Sequence, residues 1–287
     1  MPLSATDTAS AGAPVASRED YYRVRPTVVM PTVSQVALPS FSDKHEARVY
    51  WKHRLALAFR IFAQCGFENG VAGHITLRQD PVEPSSFWVN PFGKAWRSIT
   101  VDDLIRVGSN GKVVEGGPNR LLNAAAYSIH HAVHAARPDI ACVAHSHSIY
   151  GKAFSALGCN LDMITQDACA FHDDIAFYTS KGIVLDSAEG AAIAAALGSR
   201  KAAILQNHGL LTCGTTVDSC VFWYLALEKS CQAQLLADAA AAGRGGATVK
   251  MDTVDAAYTY KTVGTEMAGW FSAKPLFETA EEDASNE

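Results

Sequence analysis

Residues 145–147 read His-Ser-His, and the run before them, 140–144, is apolar. In an extended strand, residues i and i+2 point to the same face. Two imidazoles so placed can meet one metal ion at metal–nitrogen distances of about 2.0–2.1 Å. His208 stands in matching context: it follows the apolar run 203–205 and precedes Gly209. A neighbouring strand would bring it to the same ion. Three protein ligands with an open position is the arrangement of a catalytic metal centre. The competing view is three half-buried histidines with ordinary hydrogen bonds. The shared strand-end context favours metal.

Other chemistry-bearing residues are less sharply patterned. Ser146 is expected to face the opposite side of the strand from its histidine neighbours. His130 and His134 share a helix face at i, i+4, a spacing that can bind metal, but no glutamate stands between them as in HExxH. Together with His131 they are expected at the surface or in support of the ligands. Asp167 and His172, with Asp173 and Asp174, are acid/base candidates on a loop-like stretch that could equally be solvated. Gly70-Val71-Ala72-Gly73-His74 is a turn before a strand, where glycine permits close approach to a ligand. It is not GxGxxG and no helix follows, so dinucleotide binding is disfavoured. Neither a P-loop nor a GxSxG elbow occurs.

These residues need elements to position them. Asp43 and Glu46 have capping-box spacing. Ala47, Trp51, Leu55, Ala58, Phe59 and Phe62 follow at helical intervals, up to Gly66. Short strands are predicted over 74–78, 87–90, 104–107 and 112–114, separated by turn residues such as Asn110-Gly111. A helix over 123–136 should stop at Arg137-Pro138. The strand over 140–144 then leads into His145. A helix over 148–157, a strand at 183–185, a helix at 188–197 and a strand at 203–206 come next. A long helix from Thr216 to about residue 242 ends at Gly243, and a short helix lies near Asp255. Strands and helices alternate, several strands being hairpin-like, which argues for a mixed α/β sheet layered with helices.

Composition sets the bounds. The chain has 287 residues, 48% of them hydrophobic, with a net charge of -5. That supports a sizeable core and lacks the basic face of a nucleic-acid binder. The seven cysteines include no CxxC pair, as in a reduced, cytoplasmic protein. No signal peptide and no membrane-spanning apolar run is visible. Residues 1–40, rich in Pro, Ser, Thr and Ala, read as a flexible leader.

In order and spacing, the segments NGVAGHITLR (69–78), NPFG (90–93), ARPDIACVAHSHS (136–148) and QNHGLLTCG (206–214), with LEKSCQAQ (227–234) in the long helix, resemble the class II aldolase/adducin-like family. The resemblance spans about residues 41–243 and leaves 244–287 as a C-terminal extension expected to pack at a subunit interface. It implies a three-layer α/β/α sandwich around a mostly antiparallel sheet. It implies a divalent metal, Zn2+ or Fe2+, on His145, His147 and His208, and a small-molecule substrate contacted by Gly73, His74, Asn90, Gly93 and Arg120. It also implies a homotetramer. Tyr260 lies where family members bring a tyrosine to a neighbouring site.

The resemblance has one serious departure. Family aldolases use the metal as a Lewis acid, and a glutamate on the helix before the HxH strand moves protons. Ala126 stands at that place. A retro-aldol step without a proton carrier would lose roughly 10²–10⁴-fold, unless Asp167, His172 or a neighbour's residue replaces it. The phosphate-binding polar residues of the glycine loop are also altered, to Val71, Ala72 and His74, which disfavours a phosphosugar. The expected activity is a metal-dependent lyase of aldol or decarboxylation type on a small oxo or hydroxy acid. The alternatives are a non-haem Fe(II) oxygenase acting on an aryl-pyruvate or mandelate-type acid, and a non-catalytic adducin-like interaction module.

Overall fold

The central strands are buried at every position, and their side chains alternate between two cores, one on each side of the sheet. The computed structural model describes residues 37–286 except 79, 180, 181 and 183–186. The leader through residue 36 and the strand predicted at 183–185 lie outside the described residues.

The strands are β1 (His74–Leu77), β2 (Phe87–Val89), β3 (Ile105–Val107), β4 (Val113–Glu115), β5 (Cys142–Ser146), β6 (Ile175–Tyr178), β7 (Ala202–Leu205) and β8 (Gly209–Gly214). They form one eight-stranded sheet in the order β4-β3-β2-β1-β5-β8-β7-β6. Among the described residues, only β6 and β7 run parallel. Their connection carries a helix, as a parallel crossover requires. The expected sandwich with a mostly antiparallel sheet is what the chain forms.

The helices are α1 (Lys44–Gln64), α2 (Ala124–Ala136), α3 (Ile149–Ser155), α4 (Ser187–Leu197), α5 (Val217–Gly243), α6 (Thr253–Val263) and α7 (Glu266–Ser285). Asp43 caps α1 by accepting from the backbone N–H groups of His45 and Glu46. Asn123 caps α2 in the same way. Each such cap satisfies N–H groups that the helix itself leaves unpaired. On one side of the sheet, α1, α5 and α7 bury Phe59, Phe62, Trp223, Tyr224 and Phe277 against Ile75, Leu77, Cys142, Ala144 and Ile204. On the other side, α2 and α4 bury Ile129, Val133, Ile193 and Leu197 against Val143, Ala203, Leu205 and Leu211.

Three elements went unforeseen. β6 and β8 are short runs directly continuous with turns. α7 lies beyond the short helix expected near Asp255. Residues 253–285 close on their own chain: Ala273 and Phe277 enter the first core, Trp270 is buried, and Arg54 of α1 pairs with Glu281. Phe271 stays partly exposed.

Candidate metal centre

β5 and β8 pair antiparallel, His145 opposite Leu211 and Ser146 opposite Leu210. β8 also pairs with β7, Leu205 opposite Gly209. The end of β5 and the β7–β8 turn therefore lie side by side. Asn207 has φ 56°, a left-handed conformation that asparagine tolerates better than most residues. Gly209 follows, where a Cβ would lie 2.7 Å from the Ser146 carbonyl oxygen. This tight turn sets His208 beside the HxH pair.

One ligand nitrogen each from His145, His147 and His208 lies within 4.8 Å of the others. The ring centroids are 5.2 Å apart for His145–His147, 4.7 Å for His145–His208 and 4.9 Å for His147–His208. His145 Nδ1 lies 2.8 Å from the Leu210 carbonyl oxygen. A carbonyl only accepts, so the proton sits on Nδ1 and the Nε2 lone pair is left for a metal. His208 Nδ1 is buried without a hydrogen-bond partner. An orphaned imidazole nitrogen beside two more imidazoles fits a ligand set that a cation completes.

Electrostatics agree. Burial, then the neighbouring His208, holds His145 well below the usual histidine range. His208 is pushed down to about 4, by burial and then by His147. His147 is lowered by burial and then by Lys152. Neutral imidazole is the ligating form.

The strand before the site is anchored from the opposite face. Ser146 points there, as expected, and its Oγ donates to the Phe67 carbonyl at 2.6 Å. Tyr224 donates to the Ser146 carbonyl at 2.9 Å. Glu228 accepts from Ser148 Oγ and from the backbone N–H groups of Tyr150 and Gly151 at 2.9 and 2.8 Å. A buried carboxylate thus serves as the anionic cap of α3, one residue beyond His147. The sequence reading missed Glu228. The signal available was a lone acid in the apolar stretch of α5.

His74 faces His145 across the β1–β5 register. Its ring lies 5.1 Å from that of His145. Gly73 is where β1 meets this end: at φ +90°, a Cβ would fall 2.9 Å from both the His145 carbonyl oxygen and the Trp96 ring. Behind His74, three groups of α2 and β1 follow in series. His74 Nδ1 is 2.7 Å from His130 Nε2, His130 Nδ1 is 2.7 Å from Thr76 Oγ1, and Thr76 Oγ1 is 2.9 Å from His134 Nε2. This chain was not foreseen as a unit. Its signal was present: His74 and Thr76 alternate on a strand face, and His130 and His134 repeat at i, i+4 on a helix.

The remaining candidates divide by position. Asn90 follows β2 at the His74 end of β1, 8% exposed, with its Oδ1 unpartnered. Gly93 closes the same turn in the open. Arg120 is exposed, and two of its nitrogens donate to the Gly116 and Gly117 carbonyls, closing its own loop. Asn119 ties that loop to the Phe92 carbonyl.

The acid/base candidates do not join the histidines within the chain. Asp167 and His172 flank the short 3-10 helix Ala168–Phe171, before β6. Tyr260 Oη donates to Asp174 Oδ2 at 2.6 Å, and Lys201 pairs with the same carboxylate at 3.1 Å. Asp174 and Lys201 immediately precede the parallel strands β6 and β7, whereas His208 follows β7. These residues therefore sit at the opposite end of the sheet. Burial, then the Asp174 carboxylate, raises the Tyr260 phenol and keeps it protonated.

Residues 53–235 match the family model described as the class II aldolase and adducin N-terminal domain. The chain belongs to this family. Among similar class II aldolase/adducin proteins is a decarboxylase, NovR, of Streptomyces niveus, 42% identical over 84% of this chain and 88% of its own. Another is the 4-hydroxy-3-prenylphenylpyruvate oxygenase/4-hydroxy-3-prenylbenzoate synthase of Streptomyces roseochromogenus subsp. oscitans, 42% identical over 84% of this chain and 85% of its own. A solved structure titled L-fuculose 1-phosphate aldolase, from Glaciozyma antarctica PI12, superposes with a TM-score of 0.80 at 48% identity, covering 88% of this chain and 96% of its own. This family typically uses a divalent metal, in accord with the histidine cluster.

Proposed function

We propose that this chain is a divalent-metal-dependent enzyme that breaks or forms a C–C bond beside the carbonyl of a small oxo or hydroxy acid, by decarboxylation or aldol-type cleavage. The convergence of His145, His147 and His208 carries the reading. All ligands are neutral, and among the described residues no carboxylate joins the set, so a divalent ion there would retain its full charge. Bound there, the ion supplies Lewis-acid polarisation of a substrate oxygen. Lys152 adds positive charge beside His147. Such a site favours an anionic substrate.

The chain's own residues do the rest. Leu210 fixes the His145 tautomer. Glu228 fixes the start of α3 beside His147. Asn90 and the Gly93 turn offer a wall at the His74 end. Ala126, fully buried on α2, leaves no carboxylate at the place of the family's proton carrier. That favours a reaction with less need of such an acid than a retro-aldol step, which places decarboxylation ahead of aldol cleavage. The relative named a decarboxylase supports this order.

A second reading, an Fe(II)-dependent oxygenase on an aryl-pyruvate or mandelate-type acid, is favoured by the same alanine and by the relative named an oxygenase. Three histidines suit Fe2+ as well as Zn2+. Metal-loaded protein should be assayed on 4-hydroxyphenylpyruvate and 4-hydroxymandelate, with and without oxygen. Full-rate product formation without oxygen supports the lyase and sinks the oxygenase. Turnover only with oxygen uptake reverses the choice. We propose a homotetramer, on the family resemblance; exposed Ile149, Leu157 and Leu236 offer apolar surface for it. Light scattering checks the mass.

A further inference from the structure

Three successive polar residues along one face of β1 meet α2. His74 Nδ1 lies 2.7 Å from His130 Nε2. Thr76 Oγ1 lies 2.7 Å from His130 Nδ1 and 2.9 Å from His134 Nε2. Arg78, two residues on, donates to the carbonyls of His134, Arg137, Pro138 and Ile140, at and beyond the end of α2. Alternate strand residues share a face, and His130 and His134 share a helix face at i, i+4. The neighbouring stripe of α2, Ile129 and Val133, turns instead to the apolar core shared with α4. Relative exposure is 3% for His74, 0% for Thr76, 0% for His130 and 3% for His134. Burying polar groups so deeply costs stability that apolar side chains at the same contact would not. The end of the series that leaves this interface is His74. Its Nδ1 is taken, so Nε2 is the ring nitrogen left for a ligand. These contacts hold whichever way the protons run, because an imidazole nitrogen can donate or accept and a hydroxyl does both.

We propose that Thr76, His130 and His134 are positioning residues that fix the ring of His74, so that its Nε2 contacts the acid held on the metal. His74 and His145 are register partners on adjacent strands, with their rings 5.1 Å apart. His145 belongs to the converging ligand set, and His74 does not. His74 is therefore beside the ion and free to meet what the ion binds. A hydroxy acid satisfies Nε2 in either protonation: its hydroxyl donates to a lone pair, and its carboxylate accepts from an N–H. A ring fixed in advance loses less freedom when that contact forms. This inference rests on the proposed function for the metal and the acid; the hydrogen-bonded series behind His74 does not.

The test uses full-length, Zn2+-loaded protein. With 15N-histidine labelling, NMR reads the scalar coupling across an N–H···N hydrogen bond, which appears whichever nitrogen holds the proton. A coupling between His74 Nδ1 and His130 Nε2 is expected. Its absence from the wild-type protein would overturn the proposal, even where a variant fails to fold. Calorimetry then reads Zn2+ and 4-hydroxymandelate separately. Thr76→Val, nearly the same shape without the hydroxyl, should leave Zn2+ affinity unchanged. It should weaken 4-hydroxymandelate about three- to tenfold, the range of one lost hydrogen bond, and Thr76→Ser should restore it. His74→Phe should weaken the acid to the same extent and keep Zn2+. Thr76→Val added to His74→Phe should cost nothing further, because both act through one contact. Additive losses, or Zn2+ affinity falling in step with the acid, would overturn this inference alone. So would a Thr76→Val protein that binds the acid as wild type does. Binding of neither 4-hydroxymandelate nor 4-hydroxyphenylpyruvate by wild type would overturn the functional reading as well.

Discussion

The two faces of the sheet are built from the same strands and do opposite work. Ile75, Leu77, Cys142 and Ala144 turn toward α1 and α5 and meet Phe62, Trp223 and Tyr224. Their alternates, His74, Thr76 and His145, turn toward α2 and meet His130, or point to the metal cluster. One face gains stability by burying large apolar groups. The other gives up part of that gain to hold polar groups in fixed orientation, which is tolerable only while each finds a partner. A pleated strand lets one sequence segment serve both purposes with no residue doing both.

The largest effect belongs to the apolar face. Trp223→Ala removes a fully buried indole packed against Phe171 and Phe222. It should cost about 3–5 kcal/mol, read as a lowered midpoint in urea unfolding. Metal stoichiometry of the folded fraction should be unchanged. Loss of metal from a folded variant would show that the faces are not independent.

The polar face should respond to acid. Histidines held below their ordinary value favour the fold while neutral. The unfolded chain takes up their protons near pH 6.5. Stability of the metal-free protein is therefore fully present above about pH 6.5 and is lost as pH falls toward the folded values, about 4 for His208 and about 3 for His134. His208 alone should contribute on the order of 2–3 kcal/mol across that window. Urea midpoints at pH 7.5, 6, 5 and 4.5 check the sign; a midpoint that rises on acidification contradicts it.

Glu228→Gln acts where the faces meet. The amide replaces one acceptor oxygen by an NH2 group, which then faces either the Tyr150 N–H or the Gly151 N–H and the Ser148 hydroxyl. A loss of about 1.5–3 kcal/mol is expected, with metal affinity reduced up to about tenfold through the displaced His147 segment. Calorimetric metal titration beside the melting curve separates the two effects. Unchanged affinity would confine Glu228 to stability.

The legibility of this molecule follows the same division. The HxH pair and His208 were readable because each ends an apolar strand, and strand periodicity predicts where the side chains point. The caps at Asp43 and Asn123 were readable from local chemistry. β8 was not, because GLLTCG runs straight from a turn into the Thr216 cap and has no alternation, being buried throughout. The chain behind His74 was not, because it needs the distance between β1 and α2, which no local pattern encodes. Tyr260 was placed by resemblance, and only tertiary structure shows it tied to Asp174 and Lys201 at the other end of the sheet.

The central claim is that His145, His147 and His208 hold one divalent ion. Metal analysis of freshly purified, anaerobically prepared protein, beside the His145→Ala/His147→Ala variant, tests it most directly. The account predicts about one zinc or iron per wild-type chain and loss of at least about 100-fold in affinity in the variant, with the variant still folded. A folded wild-type protein that takes up no divalent metal, even when supplied with it, would contradict the claim and leave the interaction module as the better reading.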